Sequence, residues 1–471
     1  MLLLRPAWEV AANIALMEVT GEVAAGTEPR PAELPVVERD KRCFSSSVLI
    51  GLAFAGVAMW YSLSIFAHLY SHRLLGHHVW YTTGDTWDIV DAGRFVWHGA
   101  LANVYDAASS AYALPLSFIL MAPVSAAVDH YHLVEGLVPL ARPNAWLLVG
   151  PFSLLFGIFL LDAVRRLAWD LGQRKLLWVS QLLAVGLVLV PCFEWGHFED
   201  VIAMTFVLHA ARYVMARDHV RAGLLLSLAV CSKQWAVFLI PLLVLIAPRG
   251  LRLRCLAASC ALPALFMGIL LAFGGKTSFN ALFSPVNLGR EAPGHISFYV
   301  TWLGSKTSQL SRTLGVAVGL IVAWKLRKVS TNAQILAAMS LMVLIRPFSE
   351  AINYSYYWSP SLILAGFVGV AAHGRIRLRD WMWQLAAVAW TLPHGNPATY
   401  SWWWAGMMIL LLCTWVQVAW NCGFSFRSLS PRRDRSVLNG EPSSDQSVWS
   451  APRTVALTGA ATPIASSPGR S

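Results

Sequence analysis

The chain has 471 residues, 56% of them hydrophobic and only 13% charged, with 22 tryptophans among 12% aromatics. An ordinary globular chain holds about 25% charged residues, so this composition excludes disorder, a disulfide scaffold, a coiled coil and a typical soluble enzyme, and predicts an all-α polytopic membrane protein. The net charge of +11 reads as loop charge that sets topology. No Lys/Arg strip with interleaved aromatics lies outside the short loops, which sets nucleic acid aside as a partner.

In chain order, residues 1–45 read as a cytoplasmic segment. The opening Met-Leu-Leu-Leu-Arg lacks the basic start and apolar region of a signal peptide. The apolar run Ser46–Tyr70 follows Arg39, Lys41 and Arg42 and reads as a signal anchor with its N-terminus inside. Residues 71–144 are expected as a long first outer loop. Within it Ala113–Val128 is apolar but broken by Pro115 and Pro123, and reads as interfacial or re-entrant. Further apolar runs lie near 145–164, 176–193, 201–216, 255–273, 311–324, 331–345, 358–372, 381–393 and 401–422. A crossing takes about 20 residues, so the shorter runs must borrow flanking aromatics.

Residues 222–247 form a special case. One helix of that length would span ~39 Å at ~1.5 Å per residue and place Arg221 and Arg249 on opposite sides. Ser232-Lys233-Gln234-Trp235 interrupts it, so two short helices meeting at Lys233 fit better, with irregular backbone at depth lining a protein cavity. About 11–12 crossings result, both termini are cytoplasmic, and residues 46–422 form one transmembrane domain with 423–471 as a disordered tail. Basic residues then divide 22 inside against 9 outside, as the positive-inside rule asks. The seven scattered cysteines contain no C-x-x-C and read as small core hydrophobes.

On this topology the outer face gathers the acid–base groups. Asp85, Asp88 and Asp91 recur every three residues and read as one acidic helix face, with Tyr105-Asp106 following. A carboxylate just above a membrane is suited to act as general base toward a hydroxyl; its plainer role is to favour the helix dipole. Glu194-Trp195-Gly196-His197-Phe198-Glu199-Asp200 packs four ionisable groups into seven residues. These suit phosphate or hydroxyl contacts. A divalent metal is a weaker option, since no second His stands at ligand spacing. Lys233-Gln234 sits at the hairpin tip, where an ammonium must snorkel or find an anion, and Trp235 beside it suits the interface. Arg346-Pro347 precedes Asn353-Tyr354-Ser355-Tyr356-Tyr357-Trp358; a guanidinium matches phosphate bidentately, and the tyrosines also fit an aromatic belt. Cations facing a carboxylate above a membrane point to a lipid-phosphate substrate.

The order of these motifs resembles the GT-C superfamily of membrane glycosyltransferases, and within it the polyprenyl-phosphate-mannose-dependent α-mannosyltransferases of actinobacterial type, over roughly residues 46–420. The carriers are Asp85 with Gly99 and Tyr105-Asp106, Gly-His-Phe-Glu-Asp at 196–200, Lys233-Gln234-Trp235 with Pro241, and Arg346-Pro347 with Asn353 and Tyr356-Tyr357. The resemblance implies an inverting transfer of a sugar, mannose first among candidates, from a polyprenyl-phosphate-sugar donor to a lipid or glycan acceptor at the extracytoplasmic face of the cell membrane. It makes Asp85 the catalytic base and Lys233, Arg346 and His197 the donor-phosphate contacts. Asp88, Tyr105, Glu199, Asp200, Gln234, Asn353, Tyr356 and Tyr357 become supporting or acceptor residues. The sequence departs from the family in lacking an adjacent acid pair in the first loop and in offering only Leu114-Pro115-Leu116 where Tyr-Pro-Pro is expected. The competing class is a polytopic transporter or lipid-linked sugar flippase, whose signature of paired half-helices in two repeats is met by only one broken segment.

Overall fold

The computed structural model describes residues 84–105, 114–133, 145–173, 177–189, 191–192, 196–283, 307–349, 355–391 and 401–422. The expected crossing at 46–70, the segment before it, Asp106, Glu194, Asn353, Tyr354 and the tail from 423 lie outside the described residues. Among the described residues every regular element is a helix: α1 Gly84–Trp97, α2 Pro115–His130, α3 Trp146–Asp170, α4 Leu177–Ala184, α5 Phe198–Met215, α6 His219–Ser232, α7 Leu239–Ile246, α8 Arg252–Phe283, α9 Thr307–Lys325, α10 Asn332–Ser349, α11 Ser359–His373, α12 Met382–Thr391 and α13 Ser401–Asn421. Leu148–Asp170, Arg249–Asn280 and Asn332–Ser349 are long and apolar enough to cross a membrane, and shorter apolar helices accompany them.

Burial is arranged for an apolar solvent. Leu253, Leu265, Phe273 and Phe279 of α8 and Val316, Leu320, Ile321 and Trp324 of α9 are exposed. An apolar exterior on this scale marks a surface covered by something other than water. Polar side chains turn inward instead. Ser340 of α10 and Ser361 of α11 each donate to the other's backbone carbonyl, at 2.7 and 3.0 Å. Small residues let these helices approach closely enough for such bonds. Close approach also joins α6 to α8, where a Cβ on Gly223 would stand 2.9 Å from the Cys255 carbonyl.

The interruption at Lys233 is real. That residue is extended (φ −150°, ψ 135°) between α6 and a 3₁₀ turn, Gln234–Phe238, that leads into α7. The chain then reverses. Arg252 at the start of α8 donates to the carbonyls of Leu245 and Ala247 at the end of α7, while Cys255 lies against Gly223 near the start of α6. The end of α7 has therefore returned to the level where α6 began.

Two ends of the bundle follow. At one, Arg212 of α5 bonds Asp170 of α3 at 2.6 Å, and Arg217 donates to the Ser330 carbonyl, between α9 and α10, at 2.8 Å. This end holds Arg165, Arg166, Arg249, Arg252 and Arg327 and is strongly basic. The other end holds α1, the start of α5, Lys233 and the end of α10.

Two expectations change near α1. Asp85, Asp88 and Asp91 do not form one acidic face, because a spacing of six residues turns about 120° around a helix. Asp85 faces the 196–200 loop, whereas Asp91 pairs with Arg94, which also bonds Asp129 of α2 at 2.7 Å. The segment expected as interfacial or re-entrant is one helix, α2, running through Pro123. It packs against α1, with Ser125 donating to the Val90 carbonyl at 2.7 Å.

Candidate functional site

Four stretches distant in sequence meet at the second end. Gly196 takes a left-handed conformation (φ +75°), which suits glycine and turns the chain into α5. His197 is the N-cap of α5, and Glu199 and Asp200 occupy its first turn, where helix amides favour carboxylates. Lys233 caps the C-terminal end of α6, and Arg346 lies in the last turn of α10, where carbonyls favour cations. Thr86 of α1 ties the first stretch to the loop by donating to the Gly196 carbonyl at 2.7 Å.

These side chains form one continuous ionic network. His197 Nε2 is 2.8 Å from Asp85 Oδ2, and its Nδ1 is 2.7 Å from Glu199 Oε1. Lys233 Nζ lies 2.5 Å from the same Glu199 oxygen and 3.3 Å from Asp200 Oδ2. Arg346 Nη1 is 3.0 Å from Asp200 Oδ1, and the Trp235 indole N–H donates to that oxygen at 2.6 Å. The Arg346 guanidinium lies 3.8 Å from the centre of the Tyr357 ring, and the His197 ring packs on Tyr356 with centroids 4.2 Å apart. His197, Glu199, Asp200, Lys233, Arg346 and Tyr356 are buried, whereas the Asp85 side chain is 53% exposed. Asp85 is thus the network's mouth.

The charges set one another. Burial and the Lys233 ammonium both push the His197 imidazole toward neutrality, but Glu199 and Asp85 outweigh them and raise its pKa to about 9. His197 is then an imidazolium donating from both nitrogens at neutral pH. Burial works to raise the Asp85 pKa, yet the hydrogen bond and charge of His197, helped by Lys233, leave it below the ordinary carboxylate value. Asp85 therefore stands ionised and open to an incoming hydroxyl.

The metal reading fits poorly. His197, Glu199 and Asp200 do offer ligand atoms within 4.8 Å of one another. However, both ring nitrogens of His197 already face carboxylates, Lys233 occupies Glu199, and Lys233 and Arg346 put two positive charges where a divalent ion would sit. An imidazolium has no lone pair to give a metal.

Most of the site residues expected from sequence are brought together, but several roles change. Lys233 and Arg346 do not stand free for a phosphate; Glu199 and Asp200 hold them. Trp235 is no interfacial belt residue: it is buried and bonds Asp200. Gln234 beside it is half-buried. Tyr105 is a core residue whose ring packs edge-on against Phe118 of α2 at 5.6 Å, and Asp88 is half-buried one turn along α1 from Asp85. Thr86 and the inward role of Trp235 are what the sequence reading misses. Only the adjacency of Thr86 to Asp85 and of Trp235 to Lys233-Gln234 could have signalled them.

The fold and site together define a helical protein of membrane type with a cross-helix charge network that, among the described residues, is buried except at the half-exposed Asp85. A scan of protein-family models finds none that matches the chain, and a search of curated proteins finds no match either.

Proposed function

We propose that this chain is a GT-C-type membrane glycosyltransferase with about 11–12 crossings. In this reading it moves a sugar, mannose first among candidates, from a polyprenyl-phosphate-sugar donor to a lipid or glycan acceptor at the extracytoplasmic face. The basic end of the bundle is then cytoplasmic, and so are both termini. The observation that carries the reading is the half-exposed Asp85 carboxylate, held at 2.8 Å by His197 at the edge of a buried cluster that includes Lys233 and Arg346.

Asp85 accepts the proton of the acceptor hydroxyl while that oxygen attacks the anomeric carbon from the face opposite the leaving group. The bond from the anomeric carbon to the phosphate oxygen breaks, and its electron pair departs with the lipid phosphate. His197, charged and closest to the mouth, faces that growing charge most directly. Lys233 and Arg346 act behind it through the carboxylates they share. Purified protein given synthetic polyprenyl-phosphate-mannose and a membrane lipid extract should yield a product heavier by one hexose. The Asp85→Asn variant should not, and full transfer by a normally expressed Asp85→Asn would remove Asp85 as base.

The broken hairpin with its ionisable tip also suits a transporter or flippase. Sugar or lipid movement across proteoliposomes with no new glycosidic bond would favour that reading.

A further inference from the structure

The basic end of the bundle is not uniform. On one side its cations have carboxylate partners: Arg165 and Arg166 share Asp162, Arg212 has Asp170, and Arg221 has Asp218. On the side built by α7, α8 and α9 they do not. Between Asp218 and Glu350 the sequence contains a single acidic residue, Glu291. Among the described residues no ion pair forms at Arg249, Arg252, Arg327 or Lys328. Arg252 and Arg327 turn instead to backbone carbonyls, Arg252 to Leu245 and Ala247, and Arg327 to Trp324.

Two of the segments that carry these charges meet the same short helix, α7. Arg252 clasps the end of α7, and the segment Leu326–Lys328, which follows α9, packs against the same short helix. The surroundings are apolar and outward-facing. Leu253 is 77% exposed and Trp324 is 55% exposed, and the Arg327 guanidinium lies 4.2 Å from the centre of the Trp324 ring. A cationic head over exposed apolar walls complements a molecule with an anionic head and acyl chains. Charge that only sets topology requires no such convergence.

We propose that the end of α7, flanked by Arg249 and Arg252 on one side and Arg327 and Lys328 on the other, is a binding site for an anionic phospholipid of the adjoining leaflet. The head-group phosphate meets the guanidinium and ammonium groups, and the acyl chains lie along Leu253 and Trp324. The site stands at the end of the bundle opposite the Asp85 network, so it is independent of the proposed transfer.

Trp324 reports on occupancy. The protein is reconstituted in phosphatidylcholine vesicles containing one-tenth brominated phosphatidylglycerol, or the same amount of brominated phosphatidylcholine. The fluorescence of Trp324 is taken as wild type minus Trp324→Phe. Each cation near the membrane surface contributes about 1 kcal/mol, or about fivefold in local enrichment of an anionic lipid, so the Trp324 signal should be quenched strongly by the first lipid and weakly by the second. Arg327→Gln/Lys328→Gln should remove the difference, and Arg249→Gln should reduce it if the double variant fails to fold. Equal quenching by the two lipids in the wild-type protein, or undiminished preference in the folded double variant, would overturn the proposal.

Discussion

Asp200→Asn is the sharpest test of the network. The substitution keeps an oxygen that accepts from the Trp235 indole, 2.6 Å away, and removes only the charge facing Arg346 at 3.0 Å and Lys233 at 3.3 Å. Each contact has a gross attraction of roughly 5 kcal/mol at an effective dielectric of about 20. Much of this offsets desolvation, and breaking a buried pair by removing one partner costs about 3–5 kcal/mol net. Arg346→Met should cost a similar amount, because it leaves Asp200 with Lys233 alone while Lys233 is already shared with Glu199. The double variant restores the balance of buried charge, so it should be more stable than either single variant. Thermal unfolding of the four proteins in one detergent measures the cycle. Single losses under about 1 kcal/mol, or losses that simply add, would show that these groups are solvated and not joined in a buried network.

Other outcomes follow from the same geometry. Asp85→Asn should lower transfer by about 10²–10⁴-fold, the usual weight of a general base, with a smaller loss of melting temperature than Asp200→Asn, since Asp85 is half-exposed and His197 keeps its pairing with Glu199. For His197 the sign is fixed by the raised pKa. Its ion pairs contribute fully below the unfolded value near 6.5 and are lost as pH climbs through about 9. Melting temperature and activity should therefore both fall between about pH 7 and 9, and a His197→Gln variant should flatten that slope. Gly223→Ala would put a methyl 2.9 Å from the Cys255 carbonyl and 3.0 Å from the Ser259 hydroxyl. It should destabilise by about 1–3 kcal/mol, as overpacking does; unchanged melting would mean that α6 and α8 part more easily than their packing implies.

The helical class was legible because composition speaks directly to solvent, and the break at Lys233 because a charged tetrapeptide inside an apolar run has few places to go. The convergence of Asp85, His197, Lys233 and Arg346 was legible as a list of ionisable residues out of keeping with their neighbours. Their pairing was not. Whether Lys233 meets a substrate phosphate or Glu199 depends on how α5 and α6 pack, and nothing local in either segment encodes that. The three-residue spacing of Asp85, Asp88 and Asp91 suggested a shared face because neighbours in the series are only about 60° apart; the drift across the full series sends Asp91 to Arg94. Trp235 misled for a related reason. An indole beside a lysine is the usual dress of an interface, and only the position of Asp200 turns it inward.

The network's composition also bears on what it can bind. With His197 charged, His197, Lys233 and Arg346 are matched by Asp85, Glu199 and Asp200, so the cluster as a whole is neutral. A vacant pocket of three buried cations would be far costlier, since unpaired charges removed from water shift their protonation or destabilise the fold. Neutrality at rest means that affinity for a phosphate cannot come from surplus charge. It arises only when one carboxylate is neutralised, and Asp85 is the one that a substrate proton can reach. Protonating it leaves an uncompensated positive charge at His197, 2.8 Å away. In the proposed transfer this happens as the acceptor hydroxyl gives up its proton, which is when the departing phosphate gains its charge. The stabilisation then belongs to the transition state more than to the bound donor, which is the condition for raising the rate. It follows that Asp85→Asn, which mimics the protonated carboxylate, should bind the free polyprenyl phosphate more tightly than the wild-type protein even as its sugar transfer falls. Equal or weaker binding of that product by a folded Asp85→Asn would separate the carboxylate from the charge it is held to release.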